Sequence, residues 1–117
     1  MTDYISIFEE FEYLIKNYII VEEINDKAKL VLKIKVNFID DSLLNIYESE
    51  SYIIDKHKYG YQWMSKYDEL IHRWDNTPHH PHITTFPHHQ HIGDELNVHP
   101  SEKMTLYEVL IFIQKSL

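Results

Sequence analysis

The stretch Leu30-Val31-Leu32-Lys33-Ile34-Lys35-Val36-Asn37-Phe38 decides how this chain folds. Leu30, Leu32, Ile34, Val36 and Phe38 alternate with Val31, Lys33, Lys35 and Asn37, and a period of two sends the two sets to opposite faces of a strand. One face is apolar and the other wet, the pattern of an antiparallel sheet packed on one side only. The lysine row, which begins at Lys29, reads first as a solvated or edge-protecting face and only second as an RNA track.

Working outward, Asn25-Asp26 is a turn signal joining this strand to an earlier one over Tyr18 to Ile24. Before that, Tyr4, Ile7, Phe8, Phe11, Leu14, Ile15 and Tyr18 recur at three and four, which predicts an amphipathic helix from Asp3 to Asn17. Asp40-Asp41 turns the chain into a third strand, Leu43 to Ile54. Glu48 and Glu50 fall there on the side of Leu44 and Ile46, which a bulge or a curved, partly open face would explain. A fourth strand starts at Lys58 with Tyr59, Tyr61, Trp63 and Tyr67 on one face, and a fifth runs from Leu70 to Trp74. At the far end Thr105 to Glu108 is a capping box opening a helix through Leu106, Val109, Leu110, Ile113 and Leu117. The expected fold class is α+β: an antiparallel sheet of about five strands, with an N-terminal and a C-terminal helix on one face and a long His/Pro-rich loop.

A length of 117 residues fits a single domain, residues 1–117. Hydrophobic content of 44%, with 14% aromatics, excludes a disordered chain. No apolar run approaches the roughly 20 residues of a membrane helix, and Met1-Thr2-Asp3 lacks the basic flank of a signal peptide, so cytoplasm is the default expectation. There is no cysteine, hence no disulfide framework and no thiolate metal site. A net charge of −8 excludes nonspecific coating of nucleic acid and leaves room only for a local cationic site. The aromatic sheet face suits a homodimer contact as well as it suits packing under the loop.

The chemistry is concentrated between His72 and His99, which hold eight of the nine histidines. Pro78-His79-His80-Pro81-His82 and Pro87-His88-His89-Gln90-His91 form an approximate duplication braced by proline. A cupin metal motif, a two-histidine phosphodiesterase signature and H-E-x-x-H all fail on missing partner residues. Beside the bland reading, a rigid proline-framed loop with no chemistry of its own, two functional readings remain. Cleavage of a phosphodiester without a metal needs a base, an acid and a cation for the phosphorane charge. Two of His80, His88 and His91, with Arg73, the chain's only arginine, meet that need, and Asp75 is placed to orient a ring. In this reading Trp63 and Trp74 stack a base, Asn76 joins them in binding substrate, and no cofactor is required. The alternative is a metal-binding or protein-interaction domain without catalysis. His89 and His91 are spaced H-x-H and so lie on one side of an extended backbone, as do His80 and His82, which suits Zn²⁺ or Ni²⁺.

Tyr61-x-Trp63, Arg73-Trp74-Asp75-Asn76-x-Pro78-His79-His80 and Thr85-Phe86-Pro87-His88-His89-x-His91-x-Gly93-Asp94-Glu95 together closely resemble the signature of the TumE family, toxins of prokaryotic type II toxin–antitoxin pairs. The chain departs from it at Trp74, where members often carry another aromatic residue, and at Gln62, where they often carry histidine. The resemblance implies a growth-inhibiting cytoplasmic protein neutralised by a small DNA-binding antitoxin. RNA as its substrate is an expectation from the residues above.

Overall fold

A computed structural model describes residues 2–117. Helix α1 (Tyr4–Glu10) is followed by seven strands, β1 (Ile15–Asn25), β2 (Lys29–Phe38), β3 (Leu43–Ser51), β4 (Lys56–Met64), β5 (Leu70–Asp75), β6 (His89–Ile92) and β7 (Val98–Pro100), and then by helix α2 (Leu106–Gln114). All seven strands pair antiparallel in sequence order, a meander with β1 and β7 at its edges. The α+β class stands, with two more strands than the sequence suggested. No helix among the described residues is long and apolar enough to cross a membrane.

The alternation in β2 sets the layers. Leu30, Leu32, Ile34, Val36 and Phe38 are all buried, while Lys29, Lys33 and Lys35 are exposed. Facing the apolar side are Tyr4, Phe8, Phe11 and Leu14 from the N-terminal segment and Leu106, Val109, Leu110 and Ile113 from α2. Both helices are capped as their sequences require: Asp3 accepts from the Ser6 N–H at 3.2 Å and Thr105 from the Glu108 N–H at 3.3 Å. Burying this face is the main stabilising term, at about 25 cal/mol per Å² of apolar surface removed from water.

Three local expectations are corrected. The helix stops at Glu10 rather than Asn17, because Ile15 already pairs with Phe38 and the β ladder takes over the chain. Phe11 and Leu14 still reach the core from the intervening turn, so their helical spacing was a packing signal without a helix beneath it. No bulge interrupts β3, whose pairing runs without a register shift on both sides and which ends at Ser51. Glu48 is turned into the core and held there by the Tyr61 hydroxyl at 2.7 Å and by the Thr2 hydroxyl. Tyr67 lies in the exposed turn after β4, not on the buried face with Tyr59, Tyr61 and Trp63.

The largest correction concerns the His/Pro stretch. Its second half is not loop: His89–Ile92 adds to β5 and Val98–Pro100 adds to β6. Gly93 makes the intervening turn with φ of 71°, a left-handed conformation that favours glycine. Residues 76–88 remain outside the ladder.

Register then brings together what the sequence holds apart. On the face away from the helices, Lys33, Tyr47, Gly60, Asp75 and His89 form one cross-strand row. Lys35, Asn45, Gln62, Arg73 and His91 form the row beside it.

Candidate functional site

Asp75, at the end of β5, is the centre of the site. Its side chain is 2% exposed, and four groups converge on it. Oδ1 accepts from the Thr77 N–H at 3.0 Å and the Thr77 hydroxyl at 2.7 Å, a local turn two residues ahead. Oδ2 pairs with Arg73 Nε at 3.0 Å, and the same guanidinium reaches Glu95 through NH1 at 2.8 Å. His89 Nε2 lies 3.0 Å from Oδ1 and His91 Nε2 lies 3.5 Å from Oδ2. Cross-strand pairing explains the convergence, since Asp75 sits opposite His89 and Arg73 opposite His91.

The other nitrogen of each ring is fixed by backbone. His89 Nδ1 donates to the Pro87 carbonyl at 2.9 Å and His91 Nδ1 to the Glu95 carbonyl at 2.7 Å. A carbonyl only accepts, so the Nδ1 positions carry the protons and the Nε2 atoms point inward as lone pairs in the neutral rings. His80, from the loop, covers them: its ring centroid is 4.8 Å from that of His89 and 5.9 Å from that of His91. One donor atom from each of His80, His89 and His91 lies within 4.8 Å of the others. Lost hydration first, then repulsion from the His89, His91 and His82 rings, lowers the His80 pKa, against the opposing pull of Asp75.

Beside the cluster the free sheet face is concave. A groove of about 450 Å³ runs along it, lined by Lys33, Lys35, Tyr47, Gln62, Arg73 and Thr77 among others. Lys33 pairs with Glu22 at 3.3 Å and lies over the Tyr47 ring. Arg73 belongs to both places, bonded to Asp75 through Nε and lining the groove.

Of the residues expected to act, Arg73, Asp75, His80 and His91 are brought together, and His89 joins them. His88 is not among them. It lies one residue ahead of β6 and faces the opposite side of the sheet from His89, where its Nδ1 lies 2.9 Å from the Tyr59 hydroxyl and its ring stacks on Tyr59. Burial, then the Lys103 charge, lowers its pKa. Strand alternation removes the expected base-stacking residues. Trp63 and Trp74 are 4% and 2% exposed in the core, both edge-on to Phe112 of α2, and they present no face to a ligand. Asn76 is spent on the fold, accepting from the Tyr59 N–H at 2.9 Å and donating to the His57 carbonyl at 3.0 Å. Sequence reasoning missed Thr77, and it missed Tyr47 and Gln62. Thr77 carries an Asp-x-Thr turn signal, and the other two show only once the strands are in register.

The family model described as Toxin TumE matches residues 5–117, essentially the whole chain. No curated protein and no solved structure matches it.

Proposed function

We propose, for a chain that belongs to the TumE toxin family, that it inhibits growth by cleaving RNA at the Asp75 cluster. The observation that carries this reading is the position of Arg73, which joins a buried carboxylate–histidine cluster to an open groove lined by Lys33, Lys35 and Tyr47. On a chain of net charge −8, that groove gathers cations where a polyphosphate needs them. Tyr47 offers a ring for a base, and the Arg73 NH groups offer donors for the charge that grows on a phosphorane. Two free imidazoles trading a proton are not what the cluster provides, because His89 and His91 each commit Nδ1 to a backbone carbonyl and turn Nε2 onto the buried Asp75 carboxylate rather than into the groove. The metal-independent form of the reaction therefore keeps one exchangeable ring, His80.

The neutralising partner we infer is a small DNA-binding protein, the type II arrangement, with the toxin acting in the cytoplasm. Co-expression with the product of the adjacent gene should restore growth, and failure to do so would remove that inference alone. For the activity, purified protein is incubated with RNA, with chelator and separately with added Zn²⁺ or Mn²⁺. The parent should cut, Arg73→Ala should lose roughly 100-fold or more in rate, and Lys35→Glu should raise KM at little change in kcat. Intact RNA under every condition, together with undiminished toxicity of Arg73→Ala, overturns the proposal.

A further inference from the structure

We propose that His80, His89 and His91, closed by Asp75, form a binding site for one divalent transition-metal ion of the zinc class. The inference concerns binding and holds whether or not RNA is the target.

The first support is an unsatisfied atom. His89 Nε2 is the one fully buried side-chain nitrogen or oxygen among the described residues that makes no hydrogen bond. It faces the Asp75 carboxylate at 3.0 Å. In the neutral ring a lone pair there confronts a second acceptor, and leaving such a group unmatched in the interior costs about 1–3 kcal/mol. His91 repeats the arrangement at 3.5 Å. Two lone pairs and a carboxylate turned toward one another call for a positive charge between them.

Arg73 already offsets the charge of Asp75 through its Nε contact at 3.0 Å. The two rings, with centroids 5.0 Å apart, face one space beside it. A single metal ion satisfies both rings at once and takes His80 as well.

The second support is the backbone bond on each Nδ1. A histidine that ligates through Nε2 commonly donates its other N–H to a carbonyl or carboxylate, which fixes the tautomer and aims the ring. Both buried rings are held this way, by the carbonyls of Pro87 and Glu95. Neither bond serves a strand ladder, so their effect is to orient the rings.

Spacing and donor type give the metal class. Ligand atoms around a tetrahedral zinc with bonds of about 2.0 Å lie roughly 3.3 Å apart. The three nitrogens, within 4.8 Å of one another, lie near enough for one ion to gather them. Imidazoles with a carboxylate and no thiolate suit Zn²⁺ first and Ni²⁺ next, and they suit Ca²⁺ or Mg²⁺ poorly. His80 is partly exposed whereas His89 and Asp75 are sealed, so the ion enters past His80.

The test uses the full chain without a histidine tag, stripped with EDTA and titrated calorimetrically with Zn²⁺. One ion per chain should bind tightly. His80→Ala and His91→Gln should each weaken it by at least about 10–100-fold, as loss of even an outer partner does. His82→Ala and His99→Ala should leave it unchanged. Co²⁺ in place of Zn²⁺ should give the visible absorption of a four-coordinate site, and His80→Ala should lose it. His80 lies outside the core, so that variant folds even if His91→Gln does not. Weak uptake of several ions, equal in the parent and in His80→Ala, overturns the site. Tight stoichiometric zinc alongside intact RNA and an Arg73→Ala variant as toxic as the parent would keep it while removing the activity proposed above.

Discussion

Replacing Asp75 by alanine is the perturbation with the most to say about how the site is held. In metal-free protein the carboxylate stabilises three things: the Thr77 N–H, the Thr77 hydroxyl and the Arg73 guanidinium. Hydrogen bonds to a charged acceptor contribute about 1.5–3 kcal/mol each when fully buried. Thr77 is only half-buried and recovers some water, so about 1 kcal/mol each is the fitting figure. The Arg73 side chain is 31% exposed and keeps Glu95, which limits its loss to about 1 kcal/mol or less. Against these stands the relief of no longer burying a carboxylate. The expected net cost of Asp75→Ala is about 1.5–2.5 kcal/mol, or a fall in Tm of roughly 6–10 °C for a domain of this size. Asp75→Asn keeps an oxygen for Thr77 and loses the Arg73 Nε pair at Oδ2, where its amide gains a donor toward His91 Nε2, so it should cost about 1 kcal/mol. Urea unfolding in EDTA measures both, with an unchanged m value expected. An alanine variant within about 0.5 kcal/mol of the parent, or an asparagine variant as costly as alanine, would refute this reasoning.

Tyr61→Phe should destabilise by about 1.5–3 kcal/mol, because it takes the hydroxyl from Glu48 and leaves a carboxylate 4% exposed in the core; burial, then Glu48, already raises the Tyr61 pKa. Adding Glu48→Gln should recover part of that loss in a double-mutant cycle, and strict additivity would contradict the coupling. His72 stacks on Trp74 and bonds Gln90 at 2.7 Å, and burial lowers its pKa against the pull of that bond. A lowered folded-state pKa means the unfolded chain binds the proton more readily. The stabilising contribution is therefore complete above about pH 6.5 and is lost as pH falls through the folded value. Chemical denaturation between pH 7.5 and 5 should show a shallower acid-side decline in His72→Phe than in the parent, and equal slopes would count against it.

How much of this could be read from the sequence follows from what each residue type signals. Alternation in Leu30 to Phe38 and the Thr105–Glu108 box carry their own geometry, so the buried face and the C-terminal helix were legible. Strands β6 and β7 were not, because histidine and proline are weak strand signals and His89-Gln90-His91-Ile92 alternates by burial rather than by hydrophobicity. Arg73 and Asp75 share a face by parity. The same parity assigns Trp74 to the core, and the placement of His89 in β6 puts His88 on the far side. The lysine row lay too far along the chain to be joined to Arg73 until the register of β2 to β5 was known. Helical spacing from Tyr4 to Tyr18 misled because a turn and a strand start can deliver Phe11 and Leu14 to the same core.

We propose that the toxin's chemistry resides in the His80, His89, His91 and Asp75 cluster on the free sheet face, and not in histidine content at large. Growth arrest after induction tests it most directly, comparing His80→Ala and His91→Gln with His57→Ala, His88→Ala and His99→Ala at matched soluble levels. The account predicts that both cluster variants permit growth while the other three arrest it like the parent. Cluster variants as toxic as the parent would contradict it.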